Sequence, residues 1–280
     1  MPISPEDRRL FLKNTSGLDN GFRAGGKLQQ PAYYHWLEYL FHSLMKDQAV
    51  RQLFQQLAAW DMYTYRHSFD VFLLGSLAAH RLEWPNIREM ACGLLLHDIG
   101  KTAIPRTVLT KQTSPTVAEW NMLKSHARQG YSILKDHGFS ELISSMAYRH
   151  HERLDGSGYP NGVPASKLED PVRLLSVLDV YSALSLNRPY LRAVSPLQAV
   201  QLLQKEAGSL DPEYIRFFCE FLGIFPAGST VQLTNGTTAV IIGCDDISST
   251  LPLVRDIRTH ETFYLPVDQT LRISRWIDPL

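Results

Sequence analysis

From Pro31 to Trp60 the apolar residues fall at three- and four-residue steps: Trp36, Leu37, Leu40, Phe41 and Leu44, then Val50, Leu53, Phe54 and Leu57. That period belongs to amphipathic helix, and it predicts helix throughout this stretch. The same texture runs from about Asp61 to Leu82 and from about Asn86 to Asp98. Later helix starts are marked by their end chemistry. Thr116 with Glu119 forms a capping box, opening a helix expected to carry His126. Ser140 is expected to cap a helix bearing His150 and His151, after Gly138 closes the one before. Asp170-Pro171, Ser195-Pro196 and Asp211-Pro212 each pair an N-cap with proline at the first helical position. Gly208 and Gly223 suit C-terminal caps. Residues 1–30 carry Ser, Gly, Asn and Asp, end in Gly25-Gly26, and read as loosely ordered.

After Pro226 the period shortens. Val231-Gln232-Leu233, the turn Asn235-Gly236 and Ala239–Ile242 read as a hairpin, because Asn-Gly accepts the positive φ angles of a tight turn. Leu251–Ile257, Thr262–Val267 and Leu271–Trp276 add three expected strands. The expected architecture is mostly α. It has a helical segment over residues 1–60, regulatory or dimerising, a helical bundle over 61–225, and a small β module over 226–280. The β module reads as a cover for the bundle or as a recognition unit.

Composition narrows the function classes. The 280 residues hold 28 Lys plus Arg and 28 Asp plus Glu, so net charge gives no support for nucleic-acid polymer or acidic-membrane binding. No apolar run approaches the ~20 residues of a membrane span, and the first residues show no signal-peptide core. Cys92, Cys219 and Cys244 are odd in number and far apart, without zinc-type spacing or a disulfide framework. The expected location is the cytoplasm.

The candidate chemistry lies in histidine and aspartate. His67, His97-Asp98, His126, His150-His151 and Asp179 recur at intervals of roughly 24–30 residues, the length of a helix plus its connection. Successive helices of one bundle can therefore point them at a shared centre. Imidazole with carboxylate suits iron, manganese, zinc or nickel rather than calcium. Seven donors exceed the three or four that one ion takes from protein, which suggests two ions. His35, His42, His80, His137 and His260 match no such pattern and read as structural. Trp36, Phe41, Phe54 and Trp60 read as core or interface.

The run His150-His151-Glu152-Arg153-Leu154-Asp155-Gly156-Ser157-Gly158-Tyr159-Pro160 places two neighbouring imidazoles ahead of a segment too rich in glycine to stay helical. Together with Leu96–Lys101 and Val177–Tyr181 it resembles the HD-GYP family of metal-dependent phosphodiesterases, over roughly residues 61–210. The resemblance implies an HD-type helical bundle that hydrolyses cyclic di-GMP to linear pGpG or GMP in bacterial second-messenger signalling. It implies metal ligands at His67, His97, Asp98, His126, His150, His151 and Asp179, with Asp98 bridging two divalent ions. Those ions are expected to be Fe or Mn, with Zn, Ni or Co as alternatives, and to activate a hydroxide. Lys101 is similar to the family's active-site lysine, and Arg188 to its phosphate-contacting arginine. Arg173 matches a family position of less defined role. Glu152 and Asp155 are expected to orient ligand imidazoles. The Gly158-Tyr159-Pro160 loop offers a surface for a protein partner.

Four positions depart from the family pattern. Tyr63 stands where some members have a third-metal glutamate, so a two-metal site is expected. Ser182 replaces a common aspartate, Asp70 stands where a basic residue is frequent, and Leu191 replaces a second base, with Arg192 one residue later. These departures keep two other readings open. One is a cyclic-dinucleotide receptor or scaffold that binds with little turnover. The other is an HD-type phosphohydrolase of a different nucleotide.

Overall fold

The computed structural model describes residues 3–16, 18, 24, 27–187, 192–225, 228–244, 252–265 and 271–277. Its helices, in chain order, are α1 (Pro5–Thr15), α2 (Pro31–Met45), α3 (Gln48–Trp60), α4 (Met62–Arg81), α5 (Ile87–Leu96), α6 (Arg106–Leu109), α7 (Val117–Lys124), α8 (His126–Asp136), α9 (Glu141–Arg149), α10 (Asp170–Ser185), α11 (Pro196–Lys205) and α12 (Pro212–Leu222). The strands are β1 (Thr230–Leu233), β2 (Thr238–Cys244), β3 (Pro252–Asp256), β4 (Thr262–Tyr264) and β5 (Ile273–Trp276). The fold is mostly α with a small antiparallel sheet near its C-terminal end.

The polar caps set these boundaries. Asp61, Ser140, Ser195 and Asp211 each accept a backbone N–H from the first turn of α4, α9, α11 and α12. Thr116 and Glu119 close the capping box of α7. Gly223 ends α12 at φ 71°, a left-handed value that glycine adopts without strain.

Five expectations are corrected. Residues 5–15 are helical: although α1 is largely polar, it buries Phe11 completely. Asp7 anchors it further, since its carboxylate meets His42 Nδ1 and the Arg51 guanidinium, each at 2.6 Å. The 31–60 stretch breaks between α2 and α3, where the Asp47 carboxylate accepts from Ala49 and Val50 N–H. The helix opened by Thr116 stops at Lys124, and His126 starts a separate helix. Asp170 is already helical, so Glu169 takes the N-cap position of α10. Gly208 lies beyond Glu206, which caps α11.

α4 forms the spine. Its residues from Tyr65 to Ala79 are buried apart from Arg66, and a helix buried on nearly every side belongs inside a core. The rings of Phe11, Phe41, Phe54, Phe69 and Phe72 are fully buried and meet one another at centroid distances between 5.4 and 6.3 Å. Each such ring contributes about 1.5–3 kcal/mol through burial, so α1 to α3 share one core with α4. α5 and α10 pack on other faces of α4, and α9 lies against α5.

The sheet has the order β4-β3-β2-β1-β5, with antiparallel neighbours. Val231, Leu233, Ala239, Ile241 and Val254 form its buried face. Gly236 takes φ 85° in the β1–β2 turn. Among the described residues, no helix is long and apolar enough to cross a membrane. The expected boundaries at Gly25-Gly26, Pro226, Leu251 and Val267 fall outside the described residues.

Candidate metal centre

The seven donors of the sequence pattern converge. His67 projects from the middle of α4 and Asp179 from the middle of α10. His97 caps the end of α5, and Asp98 follows it. His126 opens α8, His150 caps α9, and His151 sits one residue beyond. Packing explains the glycine after His97-Asp98-Ile99. A Cβ on Gly100 would lie 1.9 Å from the His126 carbonyl oxygen and 2.4 Å from the Gly130 nitrogen. Only glycine lets the turn Ile99–Ala103 press this closely on α8, bringing His126 to Asp98.

Asp98 stands between two donor sets. Its Oδ1 faces His126 Nε2 at 3.5 Å and His150 Nε2 at 3.7 Å. Its Oδ2 faces His97 Nε2 at 3.5 Å and His67 Nε2 at 3.7 Å, and accepts from Lys101 Nζ at 2.6 Å. Asp179 works the same way from the other side. Its Oδ1 is 2.9 Å from His67 Nε2 and 3.7 Å from His97 Nε2, and its Oδ2 is 3.7 Å from His151 Nδ1. Three compact groups result, each with donor atoms within 4.8 Å of one another: His67, His97 and Asp179; His97, Asp98 and His150; His126, His150 and His151.

Three of the rings are aimed by backbone. His97 Nδ1 lies 2.9 Å from the Leu94 carbonyl, His126 Nδ1 2.7 Å from that of Leu123, and His150 Nδ1 2.9 Å from that of Ala147. Each carbonyl sits three residues earlier in the last turn of a helix, where oxygens lack an intrahelical partner. A carbonyl only accepts, so each Nδ1 carries a proton, and Nε2 is the nitrogen that each ring turns inward. His67 Nδ1 instead meets Ser182 Oγ at 3.0 Å, and Ser182 Oγ donates to Asp70 Oδ2 at 2.6 Å. Two of the positions that depart from the family pattern therefore touch each other.

The electrostatics favour cation-binding forms. Burial pushes the His126 imidazole down to about 3, and burial beside His150 holds His151 well below its usual range. Burial would raise both carboxyl groups. Lys101 and His97 overcome it at Asp98, and His67 and His97 overcome it at Asp179, so both stay well below the carboxylate range. His97 rises against its burial because Asp98 and Asp179 adjoin it; a cation on its Nε2 would reverse that balance. Neutral imidazoles and ionised carboxylates are the forms that bind metal.

The donor set fits metal ions. His97 Nε2 and Asp98 Oδ1 are fully buried and have no hydrogen-bond partner among the described residues. A buried polar atom left without a partner costs about 1–3 kcal/mol, and cations on the two sides of Asp98 would satisfy both.

The Gly-Tyr-Pro loop forms a wall of the site. A Cβ on Gly158 would fall 2.4 Å from the His151 oxygen and 2.5 Å from the Arg153 nitrogen. The loop thus folds back onto the histidine pair and stacks the Tyr159 ring on His151, with centroids 4.6 Å apart. Glu152 holds this loop: its carboxylate accepts from Asn161 N–H at 2.8 Å and Val163 N–H at 3.1 Å. Asp155 accepts from the Ser157 backbone and hydroxyl. The expected orienting role of Glu152 and Asp155 is therefore corrected, since helix-end carbonyls and Ser182 meet the rings instead. Sequence reading missed those partners, although a histidine at a helix's last turn signals the carbonyl contact.

Lys101 is partly exposed and reaches the centre through Asp98. Arg173 bonds the Leu168 and Ala165 carbonyls and pairs with Asp211, which stabilises the approach to α10. Arg192 is exposed, whereas Arg188 and Leu191 lie outside the described residues. His42 pairs with Asp7, and His80 packs edge-on against Trp36; both are structural.

Comparison with known proteins identifies the family. The HD domain family model matches residues 63–214. A cyclic di-GMP phosphodiesterase of Pseudomonas aeruginosa, PA4108, is 35% identical over 190 residues, covering 67% of this chain and 46% of that protein. The Xanthomonas campestris cyclic di-GMP phosphodiesterase response regulator RpfG is 41% identical over 132 residues, covering 46% and 34%. A 3'3'-cGAMP-specific phosphodiesterase of Vibrio cholerae is 32% identical over 168 residues, covering 59% and 36%. The chain thus spans less than half the length of these relatives. Among solved structures, Bd1817, an HDG"Y"P protein of Bdellovibrio bacteriovorus, aligns with TM-score 0.51 at 16% identity, covering 79% of this chain and 72% of that one. The His-Asp centre and the match spanning it place the chain in the HD-domain family, the superfamily to which its HD-GYP resemblance pointed.

Proposed function

We propose that the chain is a cyclic di-GMP phosphodiesterase working through two divalent ions. The observation that carries this reading is the division of Asp98: one oxygen faces His126 and His150, the other His97 and His67. A carboxylate between two imidazole sets would serve two ions, with His151 completing the first set and Asp179 the second. Fe or Mn suits this nitrogen–oxygen mixture, and Zn, Ni and Co are alternatives. When bound, such an ion pair supplies Lewis acidity and lowers the pKa of water.

The protein's own groups do the rest. Lys101, pushed up by the Asp98 charge against its burial, keeps its ammonium beside the centre to offset charge on a phosphodiester. Arg188 and Arg192 are read as substrate-binding residues that offset phosphate charge in the same way. Tyr159 covers His151 and restricts water on that side. The relatives' names support a cyclic dinucleotide substrate, with cyclic di-GMP ahead of 3'3'-cGAMP. Residues 61–225 would hold this activity.

The test is anaerobic purification, loading with iron(II) or manganese(II), and chromatography of cyclic di-GMP and 3'3'-cGAMP beside an Asp98→Ala control. Product from the intact protein alone is expected, and its identity separates pGpG from GMP. Hydrolysis that persists in Asp98→Ala would refute the assignment. Tight binding without product, at two metals per chain, would transfer it to the receptor reading.

A further inference from the structure

We infer that Ser182 and Asp70 form a relay that fixes the tautomer of His67 and so aims its Nε2 at the metal centre. This rests on the reading of the seven donors as a metal site.

The argument follows the protons. Ser182 Oγ lies 2.6 Å from Asp70 Oδ2 and 3.0 Å from His67 Nδ1. A hydroxyl has one hydrogen, and a carboxylate only accepts. Ser182 therefore commits its hydrogen to Asp70, and toward His67 its oxygen can only accept. Nδ1 must therefore carry a ring proton, so Nε2 is the nitrogen left to offer its lone pair once a cation takes the place of a hydrogen beside Asp179. That Nε2 lies 2.9 Å from Asp179 Oδ1 and 3.7 Å from Asp98 Oδ2. With no acceptor at position 70, the hydroxyl is free to turn and donate to Nδ1. The ring would then carry its hydrogen on Nε2, on the side facing the centre.

The construction is symmetrical. On α4, Asp70 follows His67 by three residues; on α10, Ser182 follows Asp179 by three. Residues three apart share a helix face, so each helix contributes one donor and one supporting group to the same seam. His67, Asp70 and Ser182 are all buried, at 2%, 3% and 0% exposure, so water does not compete for these bonds. The three carbonyl-aimed rings need no side chain for this purpose. His67 sits mid-helix, where backbone carbonyls are already bonded, so its partner has to come from side chains. Ser182 and Asp70 are positioning residues, acting through His67.

The test is calorimetric titration of the metal-free full chain with zinc(II) alone, after circular dichroism has shown that each variant is folded. Loss of such a partner typically lowers metal affinity about 10–100-fold, and Ser182→Ala should weaken the site containing His67 by that factor. Ser182→Thr, which keeps the hydroxyl, should recover most of it. In a His67→Ala background, Ser182→Ala should change affinity by less than about twofold, the mark of an effect that passes through His67. Asp70→Ala, which removes the acceptor, should lower affinity in the wild-type background and not in Ser182→Ala. Where Ser182→Ala does not fold, Asp70→Ala is set against His67→Ala in the same cycle. Wild-type affinity in Ser182→Ala, or an equal loss with and without His67, would overturn the relay. Hydrolysis of cyclic di-GMP by the wild type is assayed separately. The expected zinc results without turnover would support the relay and remove the phosphodiesterase reading.

Discussion

His126 and His150 aim the same kind of atom at each other, with their Nε2 nitrogens 3.2 Å apart. Each Nδ1 donates to a carbonyl three residues earlier, at the end of α7 for His126 and of α9 for His150, so in the neutral rings both facing nitrogens carry lone pairs. Two lone pairs at that distance repel, and a cation between them turns the repulsion into binding. Metal should therefore stabilise the fold. At a free-ion concentration of about 100 times Kd, the melting temperature should rise by roughly 5–10 °C. Thermal melts with manganese(II) or zinc(II) measure this, and calcium serves as the control because it avoids nitrogen donors. Equal shifts with calcium would argue against an imidazole site.

Gly100→Ala should be far more damaging than an ordinary helix-turn substitution. The new Cβ meets backbone atoms of His126 and Gly130, which have no rotamer to yield. A loss at or above about 3 kcal/mol is expected, together with weaker metal binding as α8 is pushed away. Gly138→Ala is the control. Its φ of 77° is strained for alanine, but nothing lies within 4 Å, so a cost of about 1–2 kcal/mol is expected and metal affinity is unchanged. Urea melts and metal titration read both.

Phe11→Ala probes whether the N-terminal helix unfolds together with the helices that carry the seven donors. Phe11 is fully buried against Tyr34, Phe41 and Phe69. Truncation should cost about 3–5 kcal/mol, and because Phe69 lies on the helix that carries His67, a single unfolding transition should move. A separate early transition, with the metal centre intact, would show that α1 melts independently.

The α7 capping box gives a pH signature. The Lys111 ammonium, 2.5 Å away, and the Thr116 N–H bind the Glu119 carboxylate and hold its pKa at about 2. The unfolded chain titrates Glu near 4.5. A group depressed on folding contributes stability that is complete above the unfolded value and lost as pH falls through the folded one. The stability difference between wild type and Glu119→Gln should therefore be constant above about pH 5 and shrink toward zero near pH 2. Denaturant melts at several pH values measure it, and a difference that grows in acid would contradict the cap.

Much of this architecture was legible because its signals are local. Asp61 to Leu82 shows an apolar period, Ser195-Pro196 and Asp211-Pro212 show cap chemistry, and Asn235-Gly236 shows turn chemistry; none needs a distant partner. The seven donors were legible from residue type and interval. What stayed hidden depends on contacts across the chain. α1 has little apolar surface, and its place is secured by Phe11 and by Asp7 with His42 and Arg51. The α2–α3 break rests on Asp47, without glycine or proline to announce it. Glu152 looked like a partner for imidazole because it follows His151, yet the loop folds back and takes its carboxylate. The contact between Ser182 and Asp70 joins two helices 112 positions apart in the chain.

The carbonyls of Leu94, Leu123 and Ala147 also bear on how this site tolerates mutation. Every residue type supplies a backbone oxygen, so no point substitution at those three positions deletes the group that aims His97, His126 or His150. His67 has no such protection. Genetic drift can wear down the orientation of that one ring through positions 70 and 182 without touching any of the seven donors.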